Sequence, residues 1–178
     1  SILVIGGSGG VGSIAIQLLA ALTDLKIITT ASRPESRDWC LKHGAHVVLD
    51  HRESLAQQWK IQQLPAPAFV FSTTNSYEHL ADIAELIAPQ GRFALIDDPA
   101  QLDISVFKRK SVSIHWEFMF TRSMFGTADM DEQGKLLNEI ARLVDSGKID
   151  STLAQHFGSI NAANLKKAHA LLESGHSL

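Results

Sequence analysis

The stretch "SILVIGGSGGVGSIAIQLLAAL", Ser1 to Leu22, sets a glycine cluster between a short apolar run and a stripe of Val11, Ile14, Ala15, Leu18, Leu19 and Leu22. The unbroken apolar run fits a strand covered on both faces. The three- and four-residue spacing of the stripe fits one face of a helix. Three motifs compete for the turn between them. Gly6, Ser8 and Gly10 match G-x-S-x-G, the turn that presents a nucleophilic serine, and Asp97 and His156 follow in the order a triad needs. This strand is the first in the chain, however, so no upstream loop supplies an oxyanion hole, and among eight histidines such a partner is easily found. Gly7 and Gly12 have P-loop spacing, but no lysine follows Gly12 to meet the β- and γ-phosphates. Gly7, Gly9 and Gly12 satisfy G-x-G-x-x-G. In that motif Gly7 makes the turn out of the strand, Gly9 lets backbone approach a pyrophosphate, and Gly12 lets the helix pack on the sheet. The helix N-terminus then offers free N–H groups to the phosphates. A glycine turn without a ligand is the plain alternative; the strand-turn-helix setting favours the dinucleotide.

The second strand, "KIITTA" (Lys26 to Ala31), ends where an NAD site carries an acid for the ribose 2′-hydroxyl. Here Ser32 and Arg33 occupy that place, with Arg37 one helical turn on. A hydroxyl and a guanidinium favour a 2′-phosphate where a carboxylate would repel it. NADP(H) is therefore expected over NAD(H), although these arginines also suit a solvated helix start.

Strand-like runs and helical stripes alternate along the rest of the chain. Strands are expected at His46 to Asp50, Ala68 to Thr73, Arg92 to Asp97 and Ser111 to Phe118. Helices are expected from Pro34 to Gly44, Ser54 to Leu64, Tyr77 to Ala88, Glu132 to Gly147 and Ala163 to Gly175. Such alternation predicts an α/β doubly wound, six-stranded parallel sheet (a Rossmann fold) in the order 3-2-1-4-5-6. The 178 residues, 45% of them hydrophobic, suit one domain. A net charge of −3 without a basic, aromatic-laced stripe argues against nucleic acid. No apolar stretch approaches the ~20 residues of a membrane helix, and no signal segment is seen, so a cytoplasmic protein is expected. One cysteine, Cys40, excludes an internal disulfide, and the histidines lack ligand spacing, so no metal site is expected in this chain.

The segments "GGSGGVGSIAIQLLA", "TASRPES", "HGAHVVLDH", "APQGRFALID" and "HWEFMFTRSMF", taken in order, resemble the nucleotide-binding domain of the medium-chain dehydrogenase/reductase superfamily. The likeness is greatest to its quinone-oxidoreductase-like branch, grouped with the zinc-containing alcohol dehydrogenases, and runs over essentially the whole chain. It implies NADP(H)-dependent hydride transfer to or from a quinone, enone or alcohol/carbonyl substrate. By resemblance, Gly7, Gly9, Gly10, Val11 and Gly12 form the pyrophosphate turn, and Ser32 and Arg33 meet the 2′-phosphate. His51, where the family often has Tyr, lies near the adenosine phosphate; Ser72, Thr73 and Thr74 border the nicotinamide ribose; Phe118, Met119 and Phe120 approach the nicotinamide ring. Phe118 and Phe120 suit a core or an interface equally well. Asp97 and Asp98, directly after a strand, read as the start of a turn, and no residue stands out as a general acid or base.

Residues 1–178 are expected to be a dinucleotide-binding fragment lacking an N-terminal GroES-like catalytic domain and a final strand. The substrate would then sit between this chain and that domain, which would also hold any zinc. The rival expectation is a non-catalytic nucleotide-binding module acting as a sensor or interaction domain. The sixth strand, long, apolar and at a sheet edge, is expected to pair two copies into a homodimer.

Overall fold

The computed structural model describes residues 1–175. Six strands form one parallel sheet: β1 (Ile2–Ile5), β2 (Ile27–Thr30), β3 (Val47–Leu49), β4 (Phe69–Ser72), β5 (Arg92–Leu95) and β6 (Ser113–Trp116), in the order β3-β2-β1-β4-β5-β6. The expected topology is the observed one. Order reverses at β1, which pairs with β2 through Ile2–Ile27 and with β4 through Ile2–Phe69.

The apolar strands are buried from both sides, and their alternation feeds two cores. Ile2 and Val4 of β1 join Ile27, Val48, Ile16 of α1 (Gly10–Leu22) and Cys40 of α2 (Pro34–Lys42) on one face. Leu3 and Ile5 join Phe93, Leu95, Trp59 of α3 (Leu55–Ile61) and Ile83 of α4 (Leu80–Leu86) on the other. The polar residues that β2 buries are paired: Thr29 Oγ1 donates to the Val4 carbonyl at 2.7 Å, and Thr30 Oγ1 accepts from Gly6 N–H at 3.0 Å, as burial of a hydroxyl requires.

Several boundaries differ from expectation. The sixth strand is shorter than Ser111 to Phe118. Val112 and Ile114 pack against the core, whereas Trp116 is 59% exposed, so the alternating pattern does not bury one continuous face. A 3-10 segment (Ile104–Lys110) buries Phe107 beside Phe93, and a short α5 (Thr121–Phe125) follows β6. Neither carries enough turns to show a helical period. The last helices, α6 (Glu132–Asp145) and α7 (Ala162–Glu173), form where expected, but α6 buries only Leu143 and α7 buries nothing. Gln17 of α1 ties this region back to the sheet, accepting from Asp150 N–H at 2.8 Å and donating to its carbonyl at 3.3 Å. No helix among the described residues is long and apolar enough to cross a membrane.

Candidate nucleotide-binding crevice

Where strand order reverses, the turns leaving β1, β2 and β4 separate and open a crevice at the carboxyl ends of the strands. That is the place where open α/β sheets bind ligands. It measures about 480 Å3 and is lined by Gly6, Ser8, Gly9, Gly10 and Val11 from the glycine turn, Ser32, Arg33 and Ser36 from the β2–α2 connection, and Thr73 and Thr74 beyond β4. His51, Thr30 and Gly175 complete the wall. A larger groove of about 670 Å3, between α1 and the sheet, is walled mainly by Leu18, Leu19, Leu22, Phe69 and Phe71. Its few polar groups lie apart from the glycine turn, so the smaller crevice is the better candidate for polar ligand recognition.

The backbone explains the glycines. Gly6, not Gly7, makes the turn: its φ is +83°, in the left-handed region, and a Cβ there would overlap the Thr73 hydroxyl. Gly6 N–H donates to Thr30 Oγ1 at 3.0 Å, and Gly7 N–H to the Thr30 carbonyl at 3.2 Å, fastening the turn to the end of β2. Gly7 is buried against Thr29. Gly12 lies in the first turn of α1, where a Cβ would overlap the Gly6 carbonyl and stand 2.8 Å from Gly7 Cα. Only a bare Cα lets α1 approach this closely, as the motif requires. Gly9 is the N-cap of α1 and is exposed with Gly10 and Val11, leaving the helix N-terminus open to an anion.

The second arm lies over β2. Arg33 is the N-cap of α2, Pro34 follows at the first helical position, and Ser36 sits in the first turn. Ser36 is 2% exposed, and its Oγ alone among the described residues is a buried side-chain polar atom without a hydrogen-bond partner. A buried hydroxyl left so costs about 1–3 kcal/mol. A phosphate oxygen in the crevice would satisfy it. Arg37 does not line the crevice; its Nη1 donates to the Ala31 carbonyl at 3.4 Å, at the end of β2. Arg52, three residues beyond β3, donates to the Ser32 carbonyl at 3.3 Å and grips Asp50 with Nη2 at 2.6 Å. Hydrogen bonds from Arg52 hold the Asp50 carboxyl down at about 2. Sequence reasoning overlooked Ser36 and Arg52; the neighbouring placement of β2 and β3 was the available signal for the latter.

The third arm is the loop after β4. Thr73 donates through Oγ1 to the Ile5 carbonyl at 2.8 Å, and Thr73 N–H reaches the same oxygen at 3.1 Å. Thr73 and Thr74 line the crevice, while Ser72 is fully buried beneath them. Phe118, Met119 and Phe120 are not brought to it. They are 51–68% exposed, and Phe118 and Met119 border a separate cleft with Trp116 and Arg122.

A family model described as zinc-binding dehydrogenase matches residues 10–142, most of the chain. The chain belongs to the zinc-binding dehydrogenase family. A Staphylococcus aureus zinc-type alcohol dehydrogenase-like protein is 40% identical over 97% of this chain and 52% of its own length. The crystal structure of a candidate zinc-dependent alcohol dehydrogenase from Rhizobium etli is 60% identical, with TM-score 0.94, over 99% of this chain and 52% of that one. Escherichia coli quinone oxidoreductase, solved with NADPH, shares the fold at 20% identity and TM-score 0.76, over 99% of this chain and 54% of that one. The chain thus spans about half the length of the relatives it matches, and it is a nucleotide-binding domain of the medium-chain dehydrogenase/reductase type.

The crevice fits a dinucleotide phosphate: Gly12 admits α1, the helix N-terminus is open, and Ser36 presents an unsatisfied hydroxyl. The residues do not fit zinc. No three His, Cys, Asp or Glu side chains gather among the described residues, and burial pushes the Cys40 thiol up to about 11, whereas a zinc-bound cysteine is a thiolate.

Proposed function

We propose that this family member binds NADP(H) across the β1 switch point and serves an oxidoreductase that exchanges hydride with a quinone, enone or alcohol/carbonyl substrate. The observation that carries the cofactor reading is the arm over β2. It offers the Ser32 hydroxyl, the Arg33 side chain and the unpartnered Ser36 hydroxyl where an NAD site would carry an acid. When bound, the nicotinamide supplies the hydride chemistry. The chain's own residues position it: the α1 N-terminus and the Gly9–Val11 backbone hold the pyrophosphate, Ser32, Arg33 and Ser36 hold the 2′-phosphate, and Thr73 and Thr74 hold the nicotinamide half. The substrate would meet the nicotinamide against protein beyond these residues, because the relatives are about twice as long.

Calorimetric titration tests the proposal. NADPH should bind more tightly than NADH, and Arg33→Ala should cost NADPH about 1.5–3 kcal/mol, the range for hydrogen bonds to a charged group. NADH affinity should barely change. Equal affinities of the unsubstituted chain for the two cofactors would overturn the 2′-phosphate assignment.

A further inference from the structure

Asp97 follows β5 at the carboxyl edge of the sheet and, unlike Asp98, faces inward. Its Oδ2 accepts from Ser76 N–H at 2.8 Å, and its Oδ1 accepts from Ser76 Oγ at 2.5 Å. Ser76 Oγ in turn lies 2.7 Å from Ser72 Oγ, and both serines are wholly buried. Ser72 can therefore donate to Ser76 and Ser76 to Asp97, a hydroxyl chain ending on a carboxylate. Hydrogen bonds to an ionised acceptor are about twice as strong as neutral ones, and each link polarises the next. The segment so gripped is the loop that walls the crevice. At one end Thr73 is pinned to the Ile5 carbonyl; at the other Ser76 is pinned to Asp97; between them Asn75 turns through a positive φ of 52°. Thr74, exposed toward the crevice, is held within this frame: its carbonyl lies 3.3 Å from Ser72 Oγ, a member of the same hydroxyl chain, and its Oγ1 donates to Asn75 Oδ1 at 3.3 Å.

We infer that Asp97 is a positioning residue for the bound dinucleotide: through Ser76 it sets the loop carrying Thr73 and Thr74 against the nicotinamide half of the cofactor. The inference rests on the dinucleotide reading above. The strand order makes it separable from the rest of the site. β2 and β4 flank β1 on opposite sides, so Asp97 acts on one arm of the crevice and leaves the Ser32–Ser36 arm, which takes the adenosine half, untouched.

The test is fluorescence titration of the full chain with NADPH and with adenosine 2′,5′-bisphosphate, which fills only the adenosine arm. Asp97→Ala should raise the dissociation constant for NADPH about tenfold, the equivalent of one charge-assisted hydrogen bond, and leave that for the bisphosphate within twofold. Asp97→Asn should restore NADPH binding. Its carbonyl accepts from Ser76 N–H and its amide donates to Ser76 Oγ, so the loop geometry is kept without the charge. Ser76→Ala, which spares one of the two bonds to Asp97, should show the same selective loss at smaller size and serves if Asp97→Ala does not fold. Parallel loss of both ligands in the folded variants, or NADPH affinity unchanged in them, would overturn the inference. Failure of the unsubstituted chain to bind either ligand would instead defeat the dinucleotide reading, and the inference with it.

Discussion

Ser36 and Arg37 are neighbours on α2 with opposite roles. Arg37 spends its guanidinium on the strand-end carbonyl of Ala31, while Ser36 holds a buried hydroxyl with nothing to bond. Removing that hydroxyl should help the empty protein and harm the complex. Ser36→Ala is expected to raise stability in urea by about 1 kcal/mol, the relief of one unsatisfied group, and to weaken NADPH binding in the same preparation. His79 gives a second residue-level test. Burial, reinforced by the nearby His51, lowers its pKa from 6.5. The fold therefore holds His79 neutral where the unfolded chain would protonate it. Stability from this source is complete above pH 6.5 and falls as pH drops toward the lowered folded value, at up to about 1.4 kcal/mol per pH unit. Thermal melts of the unsubstituted protein should slope downward below pH 6.5, and His79→Gln should flatten that slope; an unaltered slope would remove His79 as its cause. The place of the glycine turn and of Ser32 and Arg33 on the crevice wall was readable, because one follows a motif and the others follow the end of β2. Ser36, Arg52 and Asp97 were not, because what surrounds them is set by strands and loops distant in the sequence.

At the scale of elements, α3 begins with a cap borrowed from another helix. Ser54 accepts from Gln57 N–H, but the donors of Leu55 and Ala56 go to Asp82 of α4, at 3.0 and 3.1 Å, and Ser54 Oγ donates to the same carboxylate at 3.1 Å. Asp82→Ala should thus cost about 2–3 kcal/mol in urea denaturation, more than an ordinary cap, because it leaves three donors without their charged acceptor. A loss under about 0.5 kcal/mol would mean that water replaces the carboxylate. The strands were legible because β1 and β2 are buried on both faces and their apolar, β-branched runs are unbroken. The 3-10 segment and α5 were not, since one or two turns cannot display a period. The sixth strand was read too long because its alternation runs from Val112 to Phe118, beyond the residues that pair with β5 at either end. Phe118 and Phe120 stand in the open and meet edge to face.

At the scale of the molecule, apolar exposure is concentrated beyond β5. Trp116, Phe118, Met119, Phe120, Met124, Phe125, Leu136 and Leu137 are all more than half exposed, whereas β1 and β2 are buried throughout. Exposed apolar surface on this scale is characteristic of protein interfaces in general. We propose that β6, which pairs with β5 alone, joins a second copy along its open edge. Sedimentation at tens of micromolar should show a dimer, and Trp116→Glu a monomer, whereas Ile114, which packs on its own core, is the poorer probe. A monomer of 19.4 kDa for the unsubstituted chain would defeat the dimer. The central claim concerns the crevice itself, and a crystal structure with NADPH tests it most directly. The pyrophosphate should lie on the Gly9–Val11 backbone at the N-terminus of α1, with the 2′-phosphate bonded to Ser32, Arg33 and the Ser36 hydroxyl. A cofactor seated elsewhere, or a 2′-phosphate pointing into solvent away from Ser36, would contradict it.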